Sequence, residues 1–83
     1  SLLDSGIILY PNPANQTVNI SVTQASGNAN VSIFDINGRL ILTKEISLDT
    51  TTSLDVSQVT SGVYLVQVTA QEGFIKTTKL IIQ

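Results

Sequence analysis

Val31-Ser32-Ile33-Phe34-Asp35-Ile36-Asn37-Gly38-Arg39-Leu40-Ile41-Leu42-Thr43-Lys44 reads as two extended runs joined at Asn37-Gly38. A two-residue type I′ turn needs positive φ at both central positions, and Asn-Gly supplies it at the least steric cost. Such a turn fixes the register. Pairing Ile36 with Arg39 sets Ile33 opposite Leu42 and Val31 opposite Lys44 on one face, and Phe34 opposite Ile41 on the other. Both faces are partly apolar. One belongs to a core, and the other is either covered by neighbouring loops or offers a docking patch at Phe34 and Ile41.

Upstream of this hairpin, Thr17 to Thr23 alternates cleanly, with Val18, Ile20 and Val22 inward and Thr17, Asn19, Ser21 and Thr23 outward, the pattern of a half-buried antiparallel strand. Period-two runs between turn residues predict strands at Ile7 to Tyr10, Thr17 to Thr23, Asn30 to Ile36, Arg39 to Ile46, Thr52 to Val56, Val63 to Ala70 and Phe74 to Ile82. Val, Ile and Thr number 8, 10 and 10 in the 83 residues, and β-branched side chains suit a pleated surface better than a helix. Seven strands at spacings of roughly 8 to 12 residues predict an all-β sandwich or barrel. Val56 to Ser61 could add one helical turn before Gly62. The last hairpin, around Gln71-Glu72-Gly73, has two possible registers: a three-residue loop sets Lys76 opposite Val68, and a two-residue loop sets Lys79 opposite Val66.

Composition removes whole classes of function. Hydrophobic residues make up 42% and charged residues 12%, far from the composition of a disordered chain. Without Cys there are no disulfides or thiolate metal sites, and without His the commonest general base is missing. A net charge of −2, with Arg39, Lys44, Lys76 and Lys79 as the only basic residues, argues against nucleic acid as a partner. No apolar run approaches the length that crosses a bilayer, so membrane insertion is not expected, and the absence of an initiator Met suggests a segment of a longer protein. The acids Asp4, Asp35, Glu45, Asp49, Asp55 and Glu72 are scattered and read as turn and strand-end carboxylates, not as a catalytic pair. Asp35-Ile36-Asn37-Gly38 begins like a calcium loop, but the next ligand position falls on Arg39 and the closing acid on Ile46. The five glycines are isolated, so no phosphate loop exists, and no cofactor is expected. Asn15, Asn19 and Asn30 head acceptor triplets for N-glycosylation that are expected by chance in a chain this rich in Asn, Ser and Thr.

Four motifs nevertheless recur in order: Leu9-Tyr10-Pro11-Asn12-Pro13-Ala14; Val31 to Arg39; Leu54-Asp55-Val56-Ser57 with Ser61-Gly62-Val63-Tyr64-Leu65-Val66; and Lys76-Thr77-Thr78-Lys79-Leu80-Ile81-Ile82. From Leu9 to Gln83 the chain resembles the type A C-terminal sorting domain of the type IX secretion system of Gram-negative bacteria. The resemblance implies an immunoglobulin-like antiparallel β-sandwich that is an address and not an enzyme. It further implies a covalently attached N-terminal cargo, recognition by the outer-membrane translocon, and removal by a sortase-like peptidase after passage from periplasm to cell surface or medium. Ser1 to Gly6 would be a linker remnant and Ile7 to Gln83 the domain. Recognition candidates by this resemblance are Pro11, Asn12, Pro13, Gly62, Tyr64, Lys76, Lys79, Leu80, Ile81, Ile82 and Gln83. The lysines and tail stand out because a solvated terminal strand would be open to a receptor. Each of the others has a purely structural reading: a stiff turn for Pro11 to Pro13, a tight start to a strand for Gly62, and a core ring with a wet hydroxyl for Tyr64. Edge strands could also allow weak self-association. The competing expectation is an adhesive or carbohydrate-binding immunoglobulin-like module beside an extracellular enzyme.

Overall fold

The computed structural model describes residues 6–23, 25–71 and 73–83. Its strands are β1 (Ile7–Tyr10), β2 (Thr17–Val22), β3 (Asn28–Asp35), β4 (Leu40–Ser47), β5 (Thr52–Asp55), β6 (Gly62–Ala70) and β7 (Ile75–Ile82). They form two antiparallel sheets, one ordered β1-β2-β5 and the other β4-β3-β6-β7. The inward residues of both meet in a single core: Val18, Ile20 and Leu54 from the first sheet pack with Val31, Ile33, Val66, Val68, Leu80 and Ile82 from the second. Each of these aliphatic side chains is almost completely removed from water, a burial worth about 1.5–3 kcal/mol apiece. Among the described residues no helix is long and apolar enough to cross a membrane, which says nothing of strands.

The sandwich confirms the period-two reading, including Val18, Ile20 and Val22 inward on β2 and Tyr64, Val66 and Val68 inward on β6. Val56 to Ser61 is not helical. It makes a single turn closed by the Val59 N–H donating to the Val56 carbonyl at 3.0 Å.

The central hairpin requires a correction. Ile33 pairs with Leu42 and Val31 with Lys44 as expected, but Phe34 pairs with Leu40 instead of Ile41. The loop is not a two-residue turn at Asn37-Gly38. The Gly38 N–H donates to the Asp35 carbonyl and the Asp35 N–H to the Arg39 carbonyl, both at 3.0 Å, which makes Ile36-Asn37-Gly38 a three-residue loop with Gly38 at φ +87°. The Asp35 carboxylate decides the matter: its Oδ1 accepts the N–H groups of Asn37 and Arg39, each at 2.9 Å. Asp at the first position and Gly at the fourth is the signature of a type I turn followed by a left-handed residue. The pairing sum is one lower at the turn than in the body of the hairpin, and a β-bulge between the two takes up the difference at Ile41. Ile41 is thereby directed to the core, and Leu40 stands 51% exposed on the outer face beside Phe34. The outward apolar pair expected at Phe34 and Ile41 is therefore Phe34 and Leu40.

The last hairpin repeats this turn. The Gly73 N–H donates to the Ala70 carbonyl and the Ala70 N–H to the Phe74 carbonyl, with Gly73 at φ +108°. The three-residue loop is thus the one adopted, and Lys76 lies opposite Val68 on the inward face.

Candidate functional site

Two ends of the sandwich differ sharply in what they carry. At one end the chain enters at Gly6, whose carbonyl accepts the Thr23 N–H at 2.8 Å, and Lys76 Nζ lies 3.9 Å from where a Cβ on Gly6 would stand. The Lys76 ammonium also sits 5.4 Å from the centroid of the Phe74 ring. At the other end lie the loop from Pro11 to Gln16, the Asp35–Arg39 hairpin turn, the β5–β6 connection and the end of β7. With the exception of Lys76, every recognition candidate is brought to this second end, which we call the motif pole.

Asn12 is the centre of the pole. Its side-chain Oδ1 accepts the Ile81 N–H and its Nδ2 donates to the Lys79 carbonyl, both at 3.1 Å. The carboxamide thus takes the place that a peptide group of a neighbouring strand would occupy along the edge of β7. Ala14 continues the pairing in a parallel bridge to Ile82: its N–H donates to the Ile81 carbonyl and its carbonyl accepts the Gln83 N–H, both at 2.8 Å. The peptide bonds before Pro11 and Pro13 are both cis. Pro11 to Ala14 therefore forms a strap along the terminal half of β7. The prolines themselves are exposed, while Ala14 is fully buried beneath them.

This strap corrects the expectation of a solvated terminal strand. Leu80 and Ile82 are 0% and 2% exposed, because even-numbered positions of β7 face the core. Ile81 is half-buried and its backbone is engaged by the strap, whereas the Lys79 side chain and Gln83 are exposed. The strap was not legible in advance, because Asn12 and Ile81 are 69 residues apart; the one available signal was a short amide flanked by two prolines.

Gly62 and Tyr64 adjoin the tail through the registers Gly62↔Ile82 and Tyr64↔Leu80. Tyr64 is buried and its hydroxyl donates to the Thr60 carbonyl, closing the connection between the two sheets. A tyrosine at the start of the sixth strand bonding back to the preceding corner is a feature of immunoglobulin-like sandwiches. Gly62 does not have a positive φ, and a Cβ there would meet the Tyr64 ring at an ordinary 3.6 Å. The fold does not demand glycine at this position. Between the β3–β4 turn and the β5–β6 connection lies a cleft of about 420 Å³ lined by Asp35, Arg39, Ile41, Val59, Thr60 and Tyr64. Arg39 Nε is 3.5 Å from Asp35 Oδ2, so this pair braces the turn from the cleft side. The other described turn acids are similarly occupied: the Ser57 N–H donates to Asp55 Oδ1 at 2.9 Å, and the Ser47 hydroxyl donates to Asp49 Oδ2 at 3.5 Å. Asp4 and Glu72 lie outside the described residues.

The model of the secretion system C-terminal sorting domain matches residues 8–83. The chain belongs to that family. Its role is type IX sorting of an exported protein, and the domain is not itself an enzyme. The chain is 31% identical over all 83 residues to an endo-acting ulvan lyase of Formosa agariphila, and it spans 16% of that protein's length. The fold is similar to that of a DUF3244 family protein with an immunoglobulin-like β-sandwich from Bacteroides vulgatus, with a TM-score of 0.76 at 10% identity over 95% of this chain and 86% of the other. For this sorting domain the second likeness concerns the sandwich alone.

Proposed function

We propose that the domain is a two-ended address: cargo joins at the Gly6 end, and the translocon reads the motif pole at the opposite end. The observation that supports this reading is the convergence of Pro11 to Pro13, Gly62, Tyr64 and Lys79 to Gln83 on one pole, remote from the first described residue. Ser1 to Gly6 then serve as linker and Ile7 to Gln83 as the folded signal, with a sortase-like peptidase cutting upstream of Ile7. The elements available to a receptor are the exposed Pro11, Pro13, Lys79 side chain and Gln83, together with the half-buried Gly62. Asn12, Tyr64, Leu80 and Ile82 contribute by holding that surface in shape. The exported protein passes through the periplasm to the cell surface or medium.

The test is a reporter with its own export leader fused ahead of Ser1 in a bacterium that has this secretion system. We expect the reporter in the medium or on the surface, with its new C-terminus upstream of Ile7 by mass spectrometry. A reporter retained in the periplasm, while a known sorting domain exports it, defeats the reading. An adhesive or sugar-binding module would instead hold the reporter on a polysaccharide and give no secretion.

A further inference from the structure

The outward face of the four-stranded sheet is apolar in one half and mainly polar in the other. Next to the motif pole, Phe34 pairs with Leu40 on one side and Leu65 on the other, Leu65 pairs with Lys79, and Val63 pairs with Ile81. Leu40, Val63 and Leu65 are 51%, 45% and 44% exposed. Toward the Gly6 end, the same face carries Ser32, Thr43, Gln67 and Thr77, then Asn30, Glu45 and Thr69, with the isolated and 61% exposed Ile75 beside Thr69 at the sheet edge. Apolar surface continuous across four strands is uncommon on a solvated domain and marks a place where another surface sits.

We propose that this apolar half docks a protein of the export machinery whose own face is apolar and carries one carboxylate that meets Lys79. The proposal rests on the sorting-signal reading and names the surface that is read. Lys79 is the one charged side chain on the apolar half among the described residues, and its exposed side chain has no ion-pair partner there. Burying its ammonium without an anion opposes docking, so the fitting partner supplies one. A second copy of this chain does not fit. The acid on the described part of the same face is Glu45, which pairs with Asn30 on the polar half. It could reach Lys79 of another copy only by laying the apolar half on a mainly polar one, whose described apolar side chain is Ile75 at the far edge strand. The strap adds precision, because Asn12 holds the Lys79 carbonyl and so fixes where the side chain leaves the sheet.

The reporter fusion tests this with three variants. Leu40→Thr/Leu65→Thr and, separately, Lys79→Glu are each expected to reduce the secreted fraction by about tenfold or more, while purified domains melt within a few degrees of the parent. Thr43→Ala/Thr69→Ala, on the polar half, is expected to be secreted normally. Normal secretion of Leu40→Thr/Leu65→Thr or of Lys79→Glu overturns the proposal, as does a loss of secretion that only follows a loss of folded protein. If sedimentation shows a dimer of the parent that Leu65→Thr abolishes, the occupant is a second copy and the proposal is wrong. If the parent fusion itself stays in the periplasm, the sorting reading fails and this surface falls with it; if the parent is secreted and the variants are too, the surface alone falls.

Discussion

Two glycines show how differently one residue type can be used. Gly38 stands at φ +87° with open space where a Cβ would project, so its substitution meets only backbone strain. We expect Gly38→Ala to lower stability by about 1–2 kcal/mol in urea unfolding. Gly62→Ala should be neutral or slightly stabilising, since that backbone suits any residue and the new methyl makes ordinary contact with Tyr64. A Gly62→Ala domain that melts normally but is secreted poorly would place Gly62 in recognition. Asp55 offers a pH test. Hydrogen bonds from the Ser57 hydroxyl and then its N–H hold the Asp55 carboxyl below the ordinary 3.8. The folded state therefore binds this proton less readily than the unfolded state, so the contribution is complete above pH 3.8 and disappears as the pH falls through the lowered folded value. NMR titration should show the Asp55 midpoint below that of a model peptide, and Ser57→Ala should move it upward. An unshifted midpoint in the parent would remove Ser57 from this role.

At the scale of elements, β7 is two strands in one. Its even positions complete the core, and its odd positions carry the outward face and the strap. We expect Ile82→Ala to cost about 2–5 kcal/mol, Asn12→Ala about 1–2 kcal/mol because it strips a partner from the Ile81 N–H and the Lys79 carbonyl, and Lys79→Ala under about 0.5 kcal/mol. Chemical denaturation of the three variants checks the order, and a tolerant Ile82 would contradict the burial. The sequence already showed where the strands lie, since alternation in Thr17 to Thr23 and turn residues such as Gln71-Glu72-Gly73 are local signals. It also brought the family motifs into view. It did not show the bulge at Ile41, because Asn-Gly suits two turns and only the Asp35 carboxylate separates them. Nor did it show that Leu80 and Ile82 are buried: two lysines in the same strand suggest solvent, and what covers the strand's edge comes from the other end of the chain.

For the whole molecule, stability at this length is on the order of 4–12 kcal/mol. Leu80 and Ile82 together account for a large share of that, at about 2–5 kcal/mol each. Deleting Leu80 to Gln83 is therefore expected to abolish cooperative thermal unfolding, seen as loss of the melting transition in circular dichroism; a truncated chain that still melts sharply would show that the strap is dispensable. The deeper consequence lies in when the sandwich can close. Ala14, near its beginning, holds the N–H of Gln83, so native packing waits until translation has reached that residue. A prematurely terminated protein would emerge without a closed sandwich, however well its upstream domains had folded. The folded domain thus certifies a chain translated at least as far as Gln83, and an export route that accepts only the folded form excludes cargo cut short before that residue without inspecting it.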